Sequence, residues 1–344
     1  MSRAQLTSTV EQSSGGVVAP FLAGKNKIIN GDFSVWQRGT SFSNPANGSY
    51  TADRFKMIYD GTGATRTISQ QTFTPGTAPV AGYEGTYFMR YAVSAAGTGN
   101  TYQGMQQYIE DVRIFAGQTI TFSFWAKAEA SKTMTPDVTQ YFGSGGSANV
   151  QTTFVTQTIT TSWARYSASV TVPSIAGKTI GTGNALQFGF YVPANTTSTL
   201  DIWGVQLEAG SVATPFTTAA GTLQGELALA MRYYQKSYNQ ATAPADNATT
   251  SDSNKVLTAY NSSTGRSFIP FLVAMRTSPT VTLYRTSNAS TNGRWAYYTG
   301  SWNTTTSSTV TNVNEDNFNM DAGGSFTQGY AYILSGEWTA SAEL

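Results

Sequence analysis

Aromatic side chains on the polar faces of predicted strands are the residues best suited to ligand chemistry in this sequence. Residues 118–127 alternate between apolar and polar side chains, and Trp125 falls on the polar face, opposite Phe124. Tyr191 is placed opposite Phe190 in the same way. An aromatic ring stacks on the apolar face of a sugar, while amides and hydroxyls supply hydrogen bonds. We therefore predict sugar-binding positions at Trp125 and Tyr191, and burial beneath a loop is the alternative for each.

A second aromatic group lies in the C-terminal part of the chain. Four residues crowd a predicted hairpin there: Trp295, Tyr297, Tyr298 and Trp302. Trp295 and Trp302 are further candidates for contact with a glycan. Three other tryptophans are assigned to the core: Trp36, Trp163 and Trp203.

Hydrolytic chemistry would have to rest on carboxylates, because the sequence contains no His and no Cys. Their absence removes Ser-His-Asp triads, thiolate nucleophiles, disulfides and the usual zinc or haem ligands. A glycosidase needs two carboxylates about 5 to 9.5 Å apart. Seven acids are available, but none forms a recognisable pair motif: Asp53, Glu84, Glu110, Asp111, Asp137, Asp201 and Glu208. We therefore predict that the protein is not an enzyme, with a carboxylate glycosidase as the alternative.

Charge and hydropathy exclude two classes of partner. The net charge is +1 and no basic cluster occurs, which argues against nucleic-acid binding. The N-terminus lacks the apolar core of a signal peptide, and the apolar residues 17–23 are short and broken by Pro20, so no membrane insertion is expected. Charged residues make up 11% of the chain and aromatic residues 13%. This composition is typical of an all-β protein with many turns and excludes a disordered one.

The elements that position the aromatic residues are short strands separated by turn signals. Eight or more strands without an intervening helix predict an antiparallel two-sheet sandwich over residues 26–216. Residues 1–25 form a polar N-terminal arm that we expect to anchor the protein. A linker helix is predicted at 217–240 and a smaller C-terminal β-sandwich domain at 241–344. The predicted fold class is therefore all-β, with an antiparallel jelly-roll sandwich, one linking α-helix and a smaller C-terminal β domain.

The linker helix is predicted from one apolar stripe within residues 222–238. The stripe consists of Leu223, Leu227, Ala230 and Tyr234, which recur at helical spacing. A helix this short needs a partner surface. The stripe either packs on the domains of its own chain or joins copies of the chain, so these four residues are the candidates for oligomerisation.

Several separated motifs resemble a domain found in tail-fibre and appendage proteins of tailed bacteriophages. They are the opening KIINGDFSVWQRG and YTADRF, the strand FSFWAKA, the closing segment IWGVQLEAGS with ATPF, and the helix segment ELALAMRYY. The resemblance covers nearly the whole chain after residue 25. It implies a jelly roll like that of a carbohydrate-binding module.

The resemblance also bears on metal binding. Modules of this kind often hold a structural calcium between the first strand and an aspartate near the start of the last strand. Asp32 matches the first ligand, whereas Trp203 and Gly204 stand where an acidic pair is expected. This departure argues against the calcium that the resemblance implies, so we predict no cofactor, with a structural calcium at Asp32 as the alternative.

The resemblance implies a homotrimeric structural protein of a phage virion, assembled in the host cytoplasm. It would be a tail or head fibre that binds host-surface glycan and contacts other virion proteins through the arm. Two alternatives are a polysaccharide-degrading appendage and a purely structural adaptor or decoration protein.

Overall fold

The computed structural model describes residues 24–81, 83–248 and 254–344, and their secondary structure is almost entirely β. The predicted anchoring arm, residues 1–25, lies outside these ranges except for its last two residues. The described chain forms two β units with one helix between them. This confirms the predicted fold class.

The N-terminal unit is a sandwich of two antiparallel sheets. Its strands are β1 (Ser41–Ser43), β2 (Lys56–Tyr59), β3 (Thr65–Thr72), β4 (Tyr87–Ala95), β5 (Gln103–Ile109), β6 (Thr119–Ala128), β7 (Lys132–Tyr141), β8 (Val150–Thr153), β9 (Gln157–Ile159), β10 (Ala164–Thr171), β11 (Ala185–Tyr191) and β12 (Ser198–Ala209). The first sheet has the order β1-β3-β4-β12-β6-β10. The second sheet has the order β2-β5-β11-β7-β8, and β9 also pairs with β7.

The core of the sandwich is made by the inward-facing residues of both sheets. Phe122 and Phe124 of β6 meet Phe188 of β11, and the ring centroids of Phe122 and Phe188 lie 4.6 Å apart. Alternation along β6 and β11 places these side chains on one face, as the sequence pattern predicts.

The helix α1 (Leu223–Met231) is shorter than the predicted one. Its N-cap is Thr222, whose hydroxyl accepts a hydrogen bond from the backbone of Gly225 at 3.1 Å. The buried carboxylate of Glu226 accepts bonds from the backbone N–H of Asn30 at 2.7 Å and of Ala220 at 2.6 Å. Glu226 therefore fastens the helix to the first loop of the sandwich.

The predicted extension of the helix to residue 238 is wrong. The chain leaves the helix after Met231 and becomes a strand, β13 (Tyr234–Lys236), which pairs with the C-terminal strand of the chain. Tyr233 and Tyr234 stack on the guanidinium groups of Arg54 and Arg38, at 3.4 and 3.7 Å. These tertiary contacts override a local helical pattern whose last part is rich in tyrosine, a residue that favours strands.

The C-terminal unit contains ten strands in two sheets. The strands after β13 are β14 (Asn254–Ala259), β15 (Thr264–Pro270), β16 (Thr280–Tyr284), β17 (Ala296–Tyr298), β18 (Trp302–Thr304), β19 (Ser307–Thr311), β20 (Asn317–Gly323), β21 (Ala331–Ser335) and β22 (Glu337–Ser341). One sheet has the order β13-β22-β16 and the other β18-β17-β21-β14-β15-β20-β19. Because β13 belongs to this unit, the predicted linker 217–240 is part connection and part C-terminal sheet.

Candidate functional site

The open face of the second sheet carries the candidate site. On β11, Phe188 and Phe190 point into the core, and Gly189 and Tyr191 belong to the opposite, outer face. Tyr191 pairs with Gly104 of β5 and with Thr135 of β7. These two neighbours have small side chains, which leave space on the sheet face beside the half-buried ring of Tyr191.

Two tyrosine pairs lie along this face. The rings of Tyr102 and Tyr191 are 6.5 Å apart at an angle of 85°. The rings of Tyr108 and Tyr141 are 6.4 Å apart at 83°. Tyr102 and Tyr141 are 40% and 37% exposed, so both pairs present aromatic surface to solvent. Exposed aromatic rings on a sheet face are a suitable platform for stacking.

Tyr102, Tyr191 and Tyr108 line a groove made of two adjoining cavities of about 370 and 440 Å³. Both are within the size range of small-molecule sites. Tyr102, Tyr191 and Gln151 line both cavities, which makes them one continuous groove. Its remaining polar lining includes hydroxyl, amide and ammonium groups, from Thr133, Thr135, Thr153, Gln106 and Lys56.

Gly189 lies on the outer face of β11, in one cross-strand row with two residues that line the groove. It pairs with Gln106 on β5 and with Asp137 on β7. A Cβ atom at position 189 would lie 2.9 Å from Oδ1 of Asp137 and 3.2 Å from the hydroxyl oxygen of Tyr191. Glycine is therefore required so that these polar groups can approach one another.

Asp137 is the acidic group of the groove. Its Oδ2 accepts a hydrogen bond from Nε2 of Gln151, and the hydroxyl of Tyr191 accepts one from Nε2 of Gln106 at 3.2 Å. Burial raises the pKa of Asp137 to about 6, although the side chains of Gln151 and Tyr191 act to lower it. Burial and the nearby Asp137 carboxylate together raise the pKa of Tyr191.

Of the four aromatic residues predicted to bind glycan, Tyr191 lies in the groove. Trp302 is half-buried in the C-terminal unit, where its ring is 5.4 Å from that of Tyr298. Trp295 is fully buried, its indole N–H donates to the carbonyl of Glu337 at 3.2 Å, and it cannot meet a ligand. The prediction of surface contact at Trp295 is therefore wrong.

The prediction that Trp125 presents its ring to a ligand is also wrong. Trp125 is 7% exposed and lies in an aromatic cluster with Trp203 and Phe216, at 5.4 and 6.2 Å. Segments that follow β3 and β12 fold over the outer face of the first sheet, so β6 is buried on both faces. The alternation along β6 is real, but its polar face is covered by loops. Trp203 and Trp36 are buried as predicted, and Trp163 is half-buried at the edge of the cluster.

Most residues that form the groove were not predicted from the sequence. Tyr102, Tyr108 and Tyr141 belong to two strands and one preceding loop, and they meet only through the pairing of β5 and β7 with β11. The available signal was the small residue at 189 between two inward phenylalanines, which marks a close approach on the opposite face. Pairing register across three strands cannot be read from alternation alone.

The seven acids considered for hydrolysis are dispersed, except for Glu110 and Asp111, which line one separate cavity. Asp137 is the sole acid among the described residues that line the groove. Glu84 is exposed and accepts a hydrogen bond from Gly76 at 3.2 Å. The others form ion pairs: Asp53 with Arg38, Glu110 with Arg232, Asp111 with Arg113, Asp201 with Arg90 and Glu208 with Lys25.

The residues around Asp32 do not fit the calcium that the resemblance implies. The Asp32 carboxylate accepts hydrogen bonds from N and Oγ of Ser34 at 3.3 and 2.9 Å. At the second position, Trp203 is fully buried, and Gly204 lies in a β-bulge with φ of +65°. Across residues 24–81, 83–248 and 254–344, no group of three or more acidic side chains could hold a metal ion.

The four residues predicted to join copies of the chain do not share one helical stripe. Ala230 is buried at the end of α1, and Tyr234 is buried in β13. Leu223 is 64% exposed and Leu227 is half-buried. Both leucines line a cavity of about 270 Å³.

In the described part of the chain, no helix is both long and apolar enough to span a membrane.

The model of a family described as carbohydrate binding domain matches residues 25–197. No curated protein matches the chain. Among solved structures, the enzymatically active domain of tailspike protein 4 from bacteriophage CBA120 is 14% identical over 54% of this chain, with a TM-score of 0.35, and this chain spans 22% of it.

Two further structures cover similar parts of the chain. A CBM4 structure is 15% identical to this chain, with a TM-score of 0.31. The match covers 53% of this chain and 98% of the CBM4 chain. A putative sugar binding protein from Bacteroides thetaiotaomicron is 10% identical over 54% of this chain and 100% of its own length, with a TM-score of 0.34.

Proposed function

This chain belongs to the carbohydrate binding domain family, and we propose that its sandwich binds a glycan in the groove on the outer face of the second sheet. Every residue that lines the groove lies within the matched range 25–197. The observation that carries the proposal is the placement of two tyrosine pairs along one open sheet face. Between them, the amides of Gln106 and Gln151 provide the hydrogen-bonding groups that sugar hydroxyls require.

Binding without hydrolysis is the activity that the groove supports best. Both glycosidase mechanisms need a second carboxyl group across the scissile bond. The described groove lining offers Asp137 alone. The polysaccharide-degrading alternative would therefore need an acid from outside this groove.

Replacing a groove tyrosine is expected to weaken glycan binding. Tyr102→Ala and Tyr191→Ala remove stacking surface, and each should lower affinity at least about tenfold, roughly 1.4 kcal/mol. The measurement is binding to an array of neutral polysaccharides, followed by titration calorimetry with oligosaccharides of the one that binds best. The matched control is Tyr298→Ala, because Tyr298 is 40% exposed, like Tyr102, but lies in the C-terminal unit. Equal losses in Tyr102→Ala and Tyr298→Ala would contradict the proposed site.

We also propose that the chain is a structural component of a tailed-phage virion, a tail or head fibre in which three copies associate. The motifs that resemble phage appendage proteins support this role, from KIINGDFSVWQRG to ELALAMRYY. In this proposal residues 1–25 attach the protein to other virion proteins, and the glycan is on the host surface. A density map of an intact particle would test the location and the symmetry together. A chain found in the particle that binds no glycan would favour the purely structural adaptor.

Self-association can be tested at the exposed leucine of α1. Leu223→Asp should convert a trimer into monomers, because it places a charge on the apolar patch that Leu223 and Leu227 form. The matched control is Leu272→Asp, an 83% exposed leucine of the C-terminal unit, which should keep the parent mass. Light scattering measures the mass of each variant. A Leu223→Asp protein that stays trimeric would place the subunit contact elsewhere.

A further inference from the structure

The groove contains one buried charge that glycan stacking does not explain. Asp137 is 1% exposed, its Oδ2 accepts a bond from Gln151, and the neutral hydroxyl of Tyr191 is the other group that stabilises its carboxylate. Within the described ranges, no Lys or Arg forms an ion pair with it. A buried carboxylate without a cation is unfavourable. Its presence on the groove floor therefore needs a functional reason.

The negative charge borders the open space of the groove. Asp137 lines the cavity of about 370 Å³, and its Oδ1 occupies the space above Gly189, 2.9 Å from where a Cβ atom would lie. Lys56 stands in the same cross-strand row, beyond Gln106 and Gly189. Three strand spacings separate Lys56 from Asp137, about 14 Å at the usual distance between strands. The Lys56 ammonium lies 5.1 Å from the ring centroid of Tyr108, and no ion pair joins it to Asp137, so a ligand beside Asp137 experiences the charge of the carboxylate directly.

We propose that Asp137 is the specificity-determining residue of the groove, and that its uncompensated charge selects uncharged sugars and rejects sugars that carry a carboxylate. This inference rests on the proposed glycan binding and names the ligand class. A carboxylated sugar placed beside Asp137 in the groove would bring two negative charges together in a partly desolvated site. Like charges in such a site repel strongly, whereas a neutral sugar incurs no such penalty.

The selection should depend on pH in a way that identifies Asp137. The other titratable groups lining the groove are Tyr191 on β11, Tyr102 and Tyr108 at β5, and Lys56 on β2. The strand on the other side of β7, β8, contributes only Gln151 and Thr153 to the lining. The chain has no His. Because the pKa of Asp137 is about 6, lowering the pH from 7.5 to 5 protonates it, while a uronic acid stays ionised.

The experiment compares a neutral oligosaccharide that binds the wild-type protein with its 6-carboxyl derivative. At pH 7.5 the wild-type protein should bind the neutral probe at least about tenfold more tightly (1.4 kcal/mol). At pH 5 this preference should fall to roughly threefold. Asp137→Asn should show the smaller preference at both pH values, because the amide keeps the shape of the side chain without its charge. The matched control is Lys56→Met, which removes a groove charge and should leave the pH dependence of the preference intact.

The outcomes separate the two proposals. If the wild-type protein binds no glycan, both are overturned. If it binds glycan and Asp137→Asn has the wild-type preference at both pH values, glycan binding stands and the role of Asp137 is overturned. The wild-type pH series is decisive without any substitution: a preference unchanged between pH 7.5 and 5 also overturns the inference.

A melting experiment checks that the variant is folded. The pKa of Asp137 is raised by folding from 3.8 to about 6, so its contribution to stability is present below about pH 4 and is lost as the pH rises through about 6. Asp137→Asn should therefore melt at a higher temperature than the wild-type protein at pH 7.5 and not at pH 4. A site residue that lowers stability at working pH is the pattern expected of a functional group.

Discussion

Trp125→Ala is expected to lower the free energy of unfolding by about 3–5 kcal/mol, the usual cost of truncating a buried tryptophan. Trp125 fills the space between the first sheet and its covering loops, where the guanidinium of Arg165 lies 4.6 Å above its ring. A Cβ atom on Gly204 would lie 2.7 Å from that ring, so the bulge of β12 is shaped around it. The truncation leaves a large cavity that the rigid bulge cannot close.

Thermal melting measures the effect. A loss of this size corresponds to a fall of roughly 6–20 °C in a domain of this size. The control is Trp302→Ala, a half-buried tryptophan whose truncation should have a much smaller effect. Glycan affinity of the folded Trp125→Ala protein should stay within about twofold of the wild type, since the groove lies on the other sheet. An unchanged melting temperature with lost glycan binding would show that the covering loops open and expose Trp125.

Local patterns in the sequence predict the elements of this protein well and its covered surfaces poorly. The period-two alternation of β6 and β11 indicated both strands and the faces that pack in the core, because alternation is a property of a single strand. Whether the other face is open depends on loops distant in sequence. Trp125 and Tyr191 have the same local pattern, yet Phe216 and its neighbours cover Trp125, whereas the described residues leave Tyr191 half-buried.

The helix boundary and the groove show the same limit. The apolar spacing of residues 223–231 predicted α1. Tyr234 lies in a strand instead, because it pairs with Ser341 in β22. Likewise, Asp137 and Tyr191 become groove partners only because β7 and β11 pair in one particular register. Long-range pairing of this kind has no signal in the local pattern of one sequence.

The two β units meet around a buried arginine, whose neighbours predict the second large effect. Arg54 is fully buried and holds a φ of +71°, a left-handed conformation that is uncommon outside glycine. Its Nη1 forms an ion pair with Oε2 of Glu343, and its Nη2 donates to the carbonyl of Tyr108 at 2.5 Å. Arg38 pairs with the other oxygen of Glu343 at 2.9 Å. One carboxylate from the C-terminal unit thus pairs with two arginines of the sandwich, and Arg38 has Asp53 as a second partner.

Glu343→Gln is therefore expected to destabilise the protein by about 3–5 kcal/mol, because it leaves the charge of Arg54 buried without its ion-pair partner. Chemical denaturation measures this loss. Arg54→Met in the Glu343→Gln background should recover a large part of it, since the double substitution leaves no unpaired charge at position 54. The control is Arg113→Met, which breaks a surface pair whose side chains are 59% and 39% exposed and should cost less than about 1 kcal/mol.

If Glu343→Gln costs no more than Arg113→Met, water reaches Arg54 and the junction of the two units is looser than the packing of Arg54 on Tyr233 implies. If the double variant is less stable than Glu343→Gln alone, the stacking of Arg54 on Tyr233 outweighs its ion pair with Glu343.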